Sequence, residues 1–318
     1  MKNKKIIIFT EYGNNTKGSG HFYRVLNLLL NLKKFKVEIY IKKIRKFADL
    51  TKNFKLKFQF YNLKSKNFIK NYSDEYLIIL DVYNPSLLVN KFDNLLNKKI
   101  IIFNDLNFIS SNKHILINPQ KIQNSNKRNL FEGLNYFPIK KNFKEIRYKY
   151  RIRQKVKKIF VFLGSFPSKK NIIKMQIFLN KYVDKSIQID FYVNYDFKDV
   201  GNISFKKIDI DYYKFINKYD IALISGGFIK FELLYLGMPV AYFTIEKHQL
   251  NLAKYFTKNR LGYFINNINS NDFYNKKSIS FLSKIIQSYN FRKKMFNYSR
   301  KKIDGYGIQR ILDIIKKI

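Results

Sequence analysis

Three short loops combine glycine with residues able to move protons or hold anions. The first is Gly18-Ser19-Gly20-His21. Glycines there let the backbone turn tightly and approach a ligand, and a helix starting at the loop offers free N–H groups. The positive end of that helix favours neutral imidazole, which suits His21 to act as a base. The same residues also fit a plain strand-to-helix turn with a solvated histidine. The second loop is Ser225-Gly226-Gly227, followed by Glu232 and Gly237-Met238-Pro239. Paired glycines at a helix start can cradle a diphosphate through backbone amides. Glu232, within the first turns, is placed to accept hydrogen bonds from a ribose diol; a capped helix with a solvent-facing glutamate is the alternative. The third loop, Leu163-Gly164-Ser165, has Ser168, Lys169 and Asn171 nearby and is a weaker version of the same pattern. His114 sits in an apolar run and reads as structural.

Alternating strands and helices must hold these loops. Lys5–Thr10 is a β-rich run, and an apolar helix pattern follows from Phe22 to Leu32. Val37–Ile41, Tyr76–Asp81, Lys99–Phe103 and His114–Asn118 read as further strands. Several of these runs end on a polar residue, which is the pattern of buried parallel strands with a site at their carboxyl edge. A less regular basic stretch from Phe137 to Lys158 reads as an exposed linker, the expected place of first proteolytic nicking. The pattern then restarts with Ile159–Leu163, a helix over Asn171–Tyr182, and strands at Ile187–Val193, Ile221–Ile224 and Val240–Phe243. The end of the chain from Ile279 is helical. The expected fold is α/β, two Rossmann-like domains spanning 1–150 and 151–318.

Composition narrows the class. The sequence of 318 residues has no cysteine, so disulfide and thiolate chemistry are excluded and a reducing, cytoplasmic setting is expected. No apolar run approaches the ~20 residues of a transmembrane segment. Ile6–Thr10 is too short for a signal-peptide core and runs into Glu11. The net charge of +40 would suggest a nucleic-acid partner. Yet arginine occurs only ten times, and the excess is lysine scattered along the whole chain. That distribution is a compositional bias, so no specific nucleic-acid partner is expected, only weak polyanion binding. The oligomeric state is left open.

Taken together, the motifs resemble a known family. Gly18-Ser19-Gly20-His21 with Arg24 is similar to the Gly-x-Gly-His-x-x-Arg signature of the UDP-sugar hydrolases of pseudaminic acid biosynthesis and their spore-coat polysaccharide relatives. Ile79-Leu80-Asp81-Val82-Tyr83 resembles that family's strand ending in Asp-x-Tyr. Asn104-Asp105 stands at its aspartate-rich strand end, and Gly133-Leu134-Asn135-Tyr136 at its Gly-x-x-Tyr. Ser225-Gly226-Gly227 through Glu232, Gly237-x-Pro239 and Gln249 resembles the nucleotide-binding half of the glycosyltransferase class that includes MurG. Ile303-Asp304-Gly305-x-Gly307-x-x-Arg310-Ile311 is similar to the hydrolase family's close. The chain departs from the family at Gly164-Ser165-Phe166-Pro167, which lacks a glycine and an acid. It departs again at Asn251-Leu252-Ala253 and at the bulky Phe228 and Ile229.

The resemblance implies a GT-B-like fold, with the two domains facing each other across a cleft. The C-terminal domain would bind the nucleotide through Gly164, Ser225, Gly226, Gly227 and Glu232. The N-terminal domain would bind the sugar and supply the catalytic His21, with Asp81 or Asp105 orienting the imidazole. Gly18, Gly20, Arg24, Tyr83, Asp105, His248 and Gln249 would line the sugar site. The implied substrate is a nucleotide-activated sugar, cleaved by hydrolysis, with transfer to an acceptor as the alternative. Neither a cofactor nor a metal is invoked.

Overall fold

The computed structural model describes residues 5–13, 19–42, 57–62, 76–93, 100–106, 109–110, 113–122, 125–209 and 211–318, without the side chains of 125–127, 247 and 248. Of the expected site residues, Gly18 and the side chain of His248 lie outside this description.

The chain divides into two compact units, residues 1–138 with 306–318, and residues 139–305. Among the described residues the first holds an eight-stranded sheet. Its strands are β1 (Lys5–Thr10), β2 (Lys36–Lys42), β3 (Phe58–Tyr61), β4 (Tyr76–Asp81), β5 (Ile101–Phe103), β6 (Ile115–Asn118), β7 (Ser125–Lys127) and β8 (Leu130–Glu132). Their spatial order is β3-β2-β1-β4-β5-β6-β8-β7, parallel except for edge strand β7. Strand β1 is apolar on both faces because both are covered. Ile6 and Ile8 pack with Val25 and Leu28 of α1 (Gly20–Leu29) and with Ile311 and Ile315 of the last helix. Ile7 and Phe9 pack with Leu88, Val89 and Phe92 of α2 (Ser86–Asp93).

The second unit begins with α3 (Asn142–Lys149) and continues through β9 (Lys158–Phe162), α4 (Lys169–Tyr182), β10 (Gln188–Val193), β11 (Ile203–Lys207), β12 (Ile221–Ile224), α5 (Ile229–Leu236), β13 (Val240–Thr244), α6 (Lys247–Lys258), β14 (Tyr263–Asn267), α7 (Lys276–Gln287) and α8 (Tyr289–Lys302). Its sheet runs β11-β10-β9-β12-β13-β14, and all its strands are parallel. In both sheets the chain moves outward one way from the first strand, then returns to the centre and moves outward the other way. The reversal falls between β1 and β4 in the first sheet and between β9 and β12 in the second. Parallel α/β sheets bind ligands outside the carboxyl ends of the strands at such a reversal.

Two boundaries differ from the sequence reading. The stretch read as a linker is anchored: Phe143 and Tyr150 are fully buried. Arg147 donates to the carbonyls of Arg300 (2.7 Å), Ile303 (3.1 Å) and Tyr235. The second unit therefore starts at Ile139, not at 151. The final helix α9 (Gly307–Lys317) belongs to the first unit, with Ile311 and Ile315 fully buried in its core. Gly307 permits this, since a Cβ there would collide with the backbone carbonyl of Phe137, and Arg310 donates to the Asn135 carbonyl at 3.1 Å. The glycines of the Asp304-Gly305-x-Gly307 motif thus serve close packing. Among the described residues no helix is long and apolar enough to cross a membrane.

Candidate active site

In the first unit the expected residues converge at the carboxyl ends of β1 and β4. Helix α1 starts with Ser19 as N-cap, which places His21 and Arg24 one turn apart on the face turned to the sheet. Asp81 ends β4 and lies beside Thr10, the last residue of β1, in the parallel register. Asp105 follows β5 in a turn clamped by Asn104, whose side chain donates to the Ile109 carbonyl (2.7 Å) and accepts from the Ile109 N–H (3.2 Å).

Arg24 is the hub. Its guanidinium gives two N–H groups to Asp81 (2.7 and 2.5 Å) and two to Asp105 (2.9 and 2.8 Å), and it stacks on the Phe103 ring at 4.3 Å. Paired bidentate contacts of this kind are strong and fix geometry. Arg24 is 1% exposed, and its guanidinium is taken up by the two carboxylates. Burial alone would push the Asp81 carboxyl up, but the Arg24 guanidinium and the His21 hydrogen bond outweigh that and hold it below its ordinary value. Burial lowers the Arg24 guanidinium, and the carboxylates of Asp105 and Asp81 more than restore it, so it stays charged.

His21 Nδ1 lies 2.7 Å from Asp81 Oδ1. The carboxylate can only accept, so Nδ1 carries the hydrogen, which in a neutral ring leaves the lone pair on Nε2. Arg24 Nη2 also approaches Nδ1, at 3.4 Å, but its hydrogens are directed to the two nearer carboxylate oxygens. The His21 side chain is 14% exposed, Asp105 is 6% exposed, and Asp81 and Arg24 are sealed, so the imidazole is the most accessible member of the cluster. Tyr83 is half-buried two residues beyond β4, and Gly20 opens α1. A cavity of about 670 Å3 in this unit opens among Ile115, Asn129 and Arg310 and shares no residue with the cluster.

In the second unit, Ser225, Gly226 and Gly227 extend β12, and Gly164 lies two residues beyond its neighbour β9. Gly164 and Gly226 have φ of +103° and +104°, a region where a side chain is strained. A Cβ on Gly164 would meet Ser225 Oγ at 3.8 Å, and one on Gly226 would meet Gln249 Cβ at 4.0 Å, so the four expected residues adjoin. Gln249 Oε1 accepts the backbone N–H of Ile245 (2.9 Å) and Glu246 (3.1 Å), closing a capping box on α6. That oxygen serves the helix start. Glu232 is nearly buried in the first turn of α5 and accepts the Tyr212 hydroxyl. Burial, then the Glu232 carboxylate, push that hydroxyl well above its usual value, so it remains a donor. Sequence reasoning missed Tyr212, which lies 20 residues upstream of its partner in a separate turn. It missed Lys230 as well, one lysine in a chain crowded with them. His114 is fully buried between Asp93 Oδ1 (2.8 Å from Nε2) and the Ile100 N–H (3.3 Å from Nδ1), a satisfied structural histidine.

No family model matches the chain. The uncharacterized protein MJ1062 of Methanocaldococcus jannaschii is 27% identical over 330 residues, covering 91% of this chain and 67% of that one. Among solved structures, MurG of Acinetobacter baumannii superimposes with a TM-score of 0.67 at 11% identity, covering 99% of this chain and 100% of the other. The calicheamicin glycosyltransferase CalG4 gives 0.64 at 12% identity, covering 100% and 98%. The UDP-GlcNAc 2-epimerase of Neisseria meningitidis, bound to UDP-GlcNAc, gives 0.59 at 12% identity, covering 99% and 100%. At such identities the likeness is one of fold, and the fold of this chain is the GT-B-like pair of parallel-sheet, Rossmann-like α/β domains.

Proposed function

We propose that this chain is an enzyme that hydrolyses a nucleotide-activated, UDP-linked sugar, releasing free sugar and nucleoside diphosphate. The observation that carries the reading is the His21–Asp81–Arg24–Asp105 cluster, which holds an imidazole on a buried, ion-paired carboxylate at the carboxyl edge of a Rossmann-like sheet. Names of several similar folds support the substrate class, since they include enzymes for UDP-GlcNAc and a structure bound to UDP. In this reading the second unit holds the nucleotide, with Glu232 on the ribose and the Ser225-Gly226-Gly227 loop on the diphosphate. Water attacks the anomeric carbon, His21 Nε2 takes the water proton, and the bond to the phosphate oxygen breaks. The departing diphosphate keeps the electron pair, and backbone amides stabilise its charge.

A second reading, inverting glycosyl transfer, replaces water with an acceptor hydroxyl and uses the same residues. Likeness to glycosyltransferases such as MurG and CalG4 favours it. Incubating purified protein with a panel of UDP-sugars and no acceptor separates the two, because hydrolysis yields free sugar and UDP while a transferase leaves the donor intact. His21→Asn is expected to lower kcat by about 10²–10⁴-fold with nucleotide affinity nearly intact. Glu232→Gln should instead raise KM, because a ribose contact is equally present before and during the reaction. Near-normal turnover of His21→Asn would sink the base assignment.

A further inference from the structure

Lys230 is 1% exposed on the first turn of α5. Its ammonium lies over the rings of Phe231 (4.5 Å), Phe256 (5.3 Å) and Phe228 (5.8 Å). A methionine would fill such a space without taking a charge out of water, so a lysine here calls for a reason. Its hydrogen bonds supply one. Nζ donates to the Gly226 carbonyl at 3.1 Å, and the backbone N–H of the same residue donates to the Gly227 carbonyl at 3.2 Å.

One residue thus draws two consecutive carbonyls of the loop to its own side. The chain has no cis peptide bond among its described residues, and in a planar trans peptide the C=O and N–H point in opposite directions. Holding the Gly226 carbonyl turns the Gly227 N–H away from Lys230, and holding the Gly227 carbonyl does the same for the Phe228 N–H. Two successive N–H groups directed to one side make a concavity for an anionic oxygen. Gly227 is only half-buried, and a Cβ built on it meets nothing within 4 Å, so there is room beside the loop at this residue.

We propose that Lys230 is the positioning residue of the diphosphate cradle, aiming the Gly227 and Phe228 amides by holding the two carbonyls before them. This rests on the reading of the loop as the diphosphate site of a nucleotide sugar. Lys230 does not touch the ligand. It acts through the two peptides, fixing in advance the direction in which their N–H groups meet a phosphate oxygen.

Calorimetric titration of the full chain with UDP, UMP and uridine tests it. Wild type should bind UDP most tightly and uridine least. Lys230→Met should weaken UDP about tenfold or more while changing uridine less than about twofold, since only the phosphates use the cradle. Lys230→Arg, which keeps the charge and a donor, should recover part of the loss. Should the methionine variant fail to fold, Lys230→Gln carries the same comparison. Unchanged UDP affinity in a folded variant, or equal losses for UDP and uridine, overturns the inference alone. Wild-type protein that binds none of UDP, ADP, GDP, CDP and dTDP overturns the nucleotide reading of the loop and this inference with it.

Discussion

His21 and Arg24 reach Asp81 together because they sit one helical turn apart, and Asp81 stays ionised because Arg24 is locked from its far side by Asp105. The imidazole tautomer therefore depends on a carboxylate that cannot donate. Asp81→Asn replaces one acceptor oxygen with a donor of nearly the same shape, so the ring can reverse and present a protonated nitrogen outward. We expect kcat to fall by about 10²–10⁴-fold with nucleotide binding unchanged, read from turnover and from UDP titration. Turnover above a tenth of wild type would remove Asp81 as the orienting group. The same carboxylate ties stability to pH. Its folded value lies below the ordinary one of about 3.9, so the unfolded chain takes up the proton first as the solution is acidified. The stability it contributes is fully present above that ordinary value and is lost as pH falls through the folded one. Urea midpoints measured from pH 6 to pH 3 should drop for wild type and drop less steeply for Asp81→Asn.

Strands were readable wherever both faces are covered. Ile6-Ile7-Ile8-Phe9 is apolar throughout because helices lie on each side, and Ile221-Ala222-Leu223-Ile224 is likewise fully buried. The polar ends read for Tyr76–Asp81 and for Lys99–Phe103, at Asp81 and Asp105, are where the carboxylates of the cluster lie. What stayed hidden depends on contacts distant in sequence. Asp190 lies mid-strand in β10 with no exposure, and it is tolerable only because Tyr219 (2.6 Å), Lys158 and Lys206 (both 3.0 Å) converge on it. Basic residues around Phe143 and Tyr150 disguised a packed segment as a linker, so limited proteolysis should spare 139–158. An early cut there would contradict the burial of those rings. Helix α9 has the amphipathic pattern of its neighbours, and nothing local says which sheet it covers. The deciding contact is Gly307 against the Phe137 backbone. Gly307→Ala should therefore destabilise the protein by about 2–4 kcal/mol, since a rigid carbonyl leaves the added methyl no room. Urea unfolding checks this, and a loss under about 0.5 kcal/mol would mean that α9 shifts at little cost.

Across the whole molecule the net charge of +40 acts on both units, since exposed lysines such as Lys33, Lys36, Lys198, Lys254 and Lys301 occur in each. Opposing them are a few surface pairs, among them Lys207–Asp196 and Lys214–Asp211, of a kind that contributes little because water and salt screen it. The buried His21–Asp81–Arg24–Asp105 cluster is shielded from salt by the protein around it. Self-repulsion among the surface lysines should therefore dominate the response of stability to ionic strength. At a Debye length of about 10 Å in 0.1 M salt that repulsion is largely screened, whereas at 0.01 M it is felt over about 30 Å. The melting temperature should accordingly rise as sodium chloride increases from low to moderate concentration. Over the same range, binding to heparin or to mixed-sequence DNA should fall steeply without sequence preference, as counterion release requires. The two trends share one cause and must move together. A melting temperature that falls with salt would show that surface ion pairs outweigh the repulsion. DNA binding that survives moderate salt and selects a sequence would show that the lysines form a built surface and not a uniform coat.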